Sequence, residues 1–259
     1  MLSTGIPAGG RGPFCSGKNA GQEKVRKHYD TIAEEYDGRY DCSRGRNYHT
    51  HLSGYVLAKL PKGGTLLDIG CGTGLFARQY ISSGGSAVGI DLSENMIVQA
   101  RQRCSGCDFS VGTADRLPFR DASFDAVSSI LVFTYLSDPE GMFSEAYRVL
   151  RPGGSLAICT LGRKLLTRGI PALYQIGEKM RPSHIAMKNF GERYYNEQEM
   201  RDFFSSAGFE DIGMRWCSFA HVSMMDPLFS LARKIEPFVE RQVPQLTFNL
   251  CASARKPAY

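Results

Sequence analysis

The chain has 259 residues, 42% of them apolar, enough to fill one sizeable α/β core or a core with a small cap. A formal charge of +5 is mild and includes no long basic run, so nucleic-acid binding is not implied. No stretch approaches the roughly 18 apolar residues needed to span a bilayer. There is no secretory signal, and the eight cysteines lack the spacing of a disulfide framework; together these features predict a reduced, cytoplasmic protein.

The opening MLSTGIPAGGRGPFCSGKNAG has no apolar period and is rich in glycine, serine and proline, so residues 1–21 are expected to be a flexible tail. From Gln22 the pattern changes: Val25, Tyr29, Ile32, Ala33 and Tyr36 fall on one helical face. A second helix is predicted over Asn47–Leu60, stopped by Pro61. Apolar runs then alternate with helical patterns: strand TLLDIG, a helix from Leu75, strand SAVGID, a helix from Ser93, strands DFSVGTA and FDAVSSILVF, a helix over Pro139–Leu150, and strand GSLAICTL. Such alternation with short connections predicts a parallel sheet covered by helices on both faces.

Toward the end, NEQEMRDFFSSAGF reads as a helix with an asparagine cap and a glycine stop, and EDIGMRWCSF as a strand. LTFNLCASAR alternates apolar and polar residues as a half-buried, antiparallel last strand should. The expected fold is α/β, a doubly wound, mostly parallel seven-stranded sheet over residues 22–259. Helices occupy 22–60, and a helical substrate cap is inserted over 162–195.

In an open parallel sheet, ligands bind beyond the carboxyl ends of the strands, and the first such loop here is GCGTG, directly after Asp68. Its glycines allow a tight turn and put no Cβ between backbone and ligand. Asp91 ends the second strand, 21 positions after Gly70, where an acid can accept both hydroxyls of a ribose. A nucleoside cofactor follows. A dinucleotide is disfavoured because bulky Leu75 stands where that fingerprint needs a third small residue. The alternative is a nucleoside carrying an amino acid, whose ammonium group Asp68 would help to hold.

The runs LLDIGCGTG, VGIDLSENMIVQAR, GTADRLPFRDASFDAV and VLRPGG, with YDTIAEEYD upstream, resemble the class I S-adenosylmethionine-dependent methyltransferases, in the style of their quinone- and small-molecule-directed branch. The resemblance implies S-adenosylmethionine as cofactor and assigns its site. Gly70, Cys71 and Gly72, in a loop completed by Gly74, would line the methionine portion, and Asp91 would grip the ribose. Leu92 and Met96 would flank the adenine, and Ala114, Asp115 and Arg116 would meet its edge. Leu131 would approach the methionine moiety, with Tyr36 closing over the cofactor.

Methyl transfer asks mainly for alignment of nucleophile, methyl carbon and sulfur, so catalytic residues are weakly encoded. His49 and His184 are candidate bases because a histidine can titrate near neutrality. Relatives often carry a histidine after the fourth strand; here VFTYLSDP offers Tyr135 to orient the acceptor. The basic, amphipathic stretch within 162–195 could touch a membrane surface peripherally.

The expected activity is methyl transfer to oxygen, carbon or nitrogen of a small molecule by direct displacement. A macromolecule methyltransferase is an alternative, although the Asn-Pro-Pro-Tyr-like motif of amino-methylating nucleic-acid enzymes is absent. A cofactor-binding protein without turnover is another. Arsenite methylation would need three thiols converging on one cap-side cavity, and the sequence shows no clustered pair beyond Cys104 and Cys107, which lie on the wrong side, before the third strand. That lone C-x-x-C lacks the second pair of a zinc site, so it reads as two unrelated thiols and no metal site is predicted.

Overall fold

The computed structural model describes residues 19–38, 42–163, 192–221, 224 and 226–259. Helices α1 (Asn19–Tyr36) and α2 (Ser43–Leu57) precede β1 (Thr65–Ile69), α3 (Leu75–Ser82), β2 (Ser86–Asp91), α4 (Glu94–Arg103), β3 (Asp108–Val111) and β4 (Phe124–Ile130). A short 3-10 turn over Phe133–Tyr135 leads to α5 (Pro139–Val149) and β5 (Leu150–Leu161). The chain closes with α6 (Glu197–Ser206), β6 (Glu210–Cys217), α7 (Asp226–Gln242) and β7 (Asn249–Arg255).

The strands form one seven-stranded sheet in the order β3-β2-β1-β4-β5-β7-β6. β7 is antiparallel to both of its neighbours and every other pairing is parallel. The expected doubly wound sheet is therefore present, with the antiparallel strand inserted one place in from the edge. Central strand β1 is apolar almost throughout because both of its faces are covered. Leu66, Ala126, Ala157, Cys159 and Cys251 face α2, α3 and α4. Leu67, Val127, Leu156, Ile158 and Leu250 face α5 and α6, where Phe133, Phe143 and Phe204 interlock edge to face.

Helix starts follow local chemistry. Ser93 accepts the Met96 N–H at 3.1 Å to open α4, and Asp138 accepts that of Gly141 at 3.0 Å ahead of Pro139 in α5. Asn196 caps α6, as the sequence suggested, and Glu199 returns the bond in a reciprocal capping box.

Several boundaries differ from expectation. α1 begins at Asn19, so Asn19, Ala20 and Gly21 belong to the helix and not to the tail. α2 begins at Ser43, because the Cys42 thiol caps it by accepting the Gly45 N–H. Cys104 and Cys107 are not unrelated thiols: they are joined as a disulfide in the turn between α4 and β3. The expected tail over residues 1–18 and most of the expected cap, 164–191, lie outside the described residues.

Candidate active site

The glycine loop sits at the carboxyl end of β1, held down by Gly70 and Cys71 N–H groups that both donate to the Ile90 carbonyl. Its glycines have different jobs. Gly70 has φ +71 and a Cβ there would lie 2.3 Å from Val132, so this glycine is required by packing. Gly74 likewise presses on Phe109, 2.9 Å from where its Cβ would be. Above Gly72 the space is open, the nearest atom being Cε1 of Tyr36 at 4.0 Å. A side chain at 72 would project into that open space.

Asp91 and Asp68 bracket that space. One Asp91 oxygen accepts the Gly72 N–H at 2.8 Å and the other the Ser93 N–H at 2.9 Å. Burial raises the Asp91 pKa against these backbone donors. Asp68 is 2% exposed and accepts from the Ser128 hydroxyl at 2.7 Å. Burial pushes its carboxyl up to about 7, opposed by Ser128 and reinforced by the charge of Asp91. A buried carboxylate with so little compensation is suited to meeting a cation. Cys71 is buried and its thiol is pushed well up by burial and the two acids, so it is a packing residue and not a nucleophile.

The far wall comes from β4. Leu131 holds a positive φ of 59, while its N–H donates to the Cys159 carbonyl at 2.7 Å. Such a conformation costs about 1–3 kcal/mol in a residue with a side chain, and that strain sits where the methionine moiety is expected. Beyond it, Tyr135 meets Tyr29 edge-on at 6.1 Å, and Tyr29 meets Tyr36 at 6.0 Å. α1 thus joins the strand ends through three tyrosines.

Two acids of the YDTIAEEYD run fasten α1 in place. Asp30 accepts from the Ser93 hydroxyl at 2.6 Å and its carbonyl from Asn95, and Asp37 accepts from the Thr73 hydroxyl at 2.6 Å while pairing with Arg103. The sequence reading did not assign Tyr29, Asp30, Asp37, Thr73 or Ser128 to the site. The seven-residue spacing that repeats Tyr29-Asp30 as Tyr36-Asp37 was the available signal.

Other predicted residues are placed less simply. Met96 is 1% exposed and packs under Ile32 and Ala33 of α1, so it supports the site from below. Leu92 is half-buried beside the Ser93 cap. Ala114, Asp115 and Arg116 form a turn after β3, with Asp115 against Gly141 and Arg116 exposed. His49 does not titrate near neutrality: burial lowers it to about 4, and its Nδ1 lies 3.2 Å from the Ser53 hydroxyl on the same helix. His184 lies outside the described residues.

The structure also gathers residues that the sequence left scattered. Cys159, Cys217 and Cys251 converge with their sulfurs within 4.8 Å of one another, which corrects the expectation that no thiols cluster beyond Cys104 and Cys107. His51, Glu236 and Glu240 form a second group.

The open space above Gly72, the ribose-suited acid at Asp91 and the buried acid at Asp68 fit S-adenosylmethionine. Residues 67–158 match the family described as "Methyltransferase domain". That stretch is an S-adenosylmethionine-dependent methyltransferase domain. A demethylmenaquinone methyltransferase of Tropheryma whipplei is 27% identical over 215 residues, covering 78% of this chain and 90% of the relative. A malonyl-[acyl-carrier protein] O-methyltransferase of Serratia marcescens is 39% identical over 99 residues, 38% of this chain and 39% of the relative. Among solved structures, an S-adenosylmethionine-dependent methyltransferase from Thermotoga maritima superposes with a TM-score of 0.64 at 25% identity, covering 90% of this methyltransferase and 99% of that chain.

Proposed function

We propose that this methyltransferase acts in the cytoplasm on a small aromatic molecule, delivering the methyl group to an oxygen, carbon or nitrogen by direct displacement. The observation that carries the reading is the tyrosine wall: Tyr29, Tyr36 and Tyr135 offer a flat acceptor aromatic edges and faces beside the strained Leu131. Relatives named for demethylmenaquinone point to the same acceptor class. No described helix is long and apolar enough to cross a membrane. A peripheral membrane contact through the cap is part of the proposal for a lipid-soluble acceptor.

Bound S-adenosylmethionine supplies an already activated methyl on a sulfonium. In this reading Asp91 holds the ribose and Gly72 lets the ligand reach the backbone. Asp68 stays ionised once the cofactor's positive charge is near. Tyr135 orients the acceptor, and α1 excludes water above the methyl group. His49 is a weak proton acceptor at about 4. The proposed acceptor atom is accordingly one that needs no proton taken by His49, such as an ionised phenol or an electron-rich ring carbon.

The test is methyl-labelled cofactor with reduced naphthoquinones and benzoquinones, aromatic amines and phenols, arsenite, malonyl-acyl carrier protein and RNA. Label is expected in an aromatic small molecule. Label only in arsenite or in a macromolecule, or cofactor binding with no transfer to any acceptor, would overturn the proposal.

A further inference from the structure

β5, β7 and β6 each place one cysteine at the same level of the sheet. Cys159 and Cys251 are direct partners across β5 and β7, and Cys251 faces Arg215 across β7 and β6, with Cys217 two residues further along. The period of two therefore turns all three side chains to the face that α2 covers, among Tyr48, Leu52 and Val56. Cys159 and Cys217 are 0% exposed and Cys251 is 8% exposed. The Cys217 and Cys251 sulfurs are 3.2 Å apart, and all three lie within 4.8 Å of one another.

We propose that Cys159, Cys217 and Cys251 form a buried three-sulfur site for one thiophilic metal or metalloid ion. Sulfurs bound to such an ion at about 2.3 Å stand roughly 3.5–4 Å apart, so the trio needs only a small adjustment to close on it. Soft thiolates select soft ions, and no carboxylate or carbonyl ligand is required.

Next to the trio, His51 Nε2 meets Glu240 at 2.8 Å and Glu236 at 3.4 Å, while Arg215 pairs with Glu240 and lies over the Tyr55 ring. This polar clamp holds α2 and α7 against the strands carrying the thiols.

Binding balances simply. A divalent ion displaces one proton from each of the three thiols, giving a singly negative three-thiolate complex and three released protons. Arsenite condenses with the three thiols, giving a neutral complex and three waters. The ion would fasten β5, β7 and β6 beneath α2, apart from the methyl-transfer chemistry.

The test uses the full reduced chain, loaded with Zn2+, with Co2+ as its spectroscopic substitute, and separately with arsenite. One ion per chain is expected by elemental analysis. X-ray absorption should show three sulfur neighbours, and Co2+ should give an intense thiolate charge-transfer band. That band should vanish in Cys217→Ala and Cys251→Ala and persist when Cys104 and Cys107 are both replaced by serine. Competition between Zn2+ and arsenite tells which ion the site prefers. The proposal falls if the folded wild-type chain shows no sulfur neighbours around either ion, if the band survives loss of the trio, or if thiol blocking reveals a Cys217–Cys251 disulfide in the isolated protein. The absorption measurement on wild type decides the matter even where a variant does not fold.

Discussion

Asp91 Oδ2 accepts the Gly72 N–H at 2.8 Å, so the tip of the glycine loop and the end of β2 are tied together by the acid that the ribose would use. The loop is thus held in shape before any ligand binds, by the carboxylate that the proposal also assigns to the ribose. Asp91→Ala should weaken cofactor binding by about 2 kcal/mol or more, the scale for a lost hydrogen bond to a charged group. Titration calorimetry on the folded variant checks this; unchanged affinity would remove the ribose assignment.

Gly70 and Gly72 should separate structure from binding. Gly70→Ala drives a Cβ into Val132 and is expected to lower the melting temperature strongly. Gly72→Ala meets open space, so it should fold with only the modest penalty of a left-handed alanine, about 1–2 kcal/mol, yet lose cofactor affinity at least tenfold. Gly72→Val should abolish binding. A Gly72→Ala protein with native affinity would mean that the ligand does not approach this position.

Asp68 predicts a pH dependence with a definite sign. Its folded value of about 7 lies above its ordinary value of 3.8. Its contribution to stability is therefore fully present below about pH 4 and is lost as pH rises through about 7. Cofactor affinity should run the other way, rising across about pH 6–8 as the carboxylate ionises against the cofactor's positive charge. Asp68→Asn should raise the melting temperature of the cofactor-free protein at about pH 8, weaken cofactor binding and flatten its pH profile. Melting curves and calorimetry across that range test both halves.

His49 has the opposite sign. Burial depresses its pKa from 6.5 to about 4, so its contribution is present above about pH 6.5 and is lost as pH falls toward 4. His49→Gln should remove that part of the acid destabilisation and leave the pH–rate profile between about pH 6 and 9 unchanged. Tyr135→Phe, by contrast, should lower kcat about tenfold or more with cofactor affinity preserved. A rate profile that shifts in His49→Gln would restore the histidine as a base.

The hold on α1 can be released without touching the cofactor-facing residues. Asp37→Ala removes the acceptor of the Thr73 hydroxyl and the partner of Arg103. Hydrogen exchange over residues 22–36 should slow on cofactor addition in wild type and stay fast in Asp37→Ala, while residues 200–207 in and just after α6 change little in either. Equal protection of 22–36 with and without cofactor would mean that α1 is already fixed over the site.

The sequence by itself determined the alternation of strands and helices, the antiparallel last strand, the glycine turn and the acid ending β2. Each is a local signal: apolar period, a capping residue, a residue without a Cβ, an acid at a strand end. Asp68, Gly72 and Asp91 could be read for the same reason, since strand and turn place them within one βαβ unit. Only the tertiary structure decided which of those glycines faces packing and which faces open space, because that depends on Val132 and Phe109, remote in the chain. It moved His49 out of the titrating range by burying it. Tyr29 and Tyr135 were joined across more than a hundred residues, and Cys159, Cys217 and Cys251 were brought to one point. Those cysteines share no spacing because sheet order, with β7 set between β5 and β6, makes them neighbours. Strand pairing is a long-range choice of register, and no local period records it.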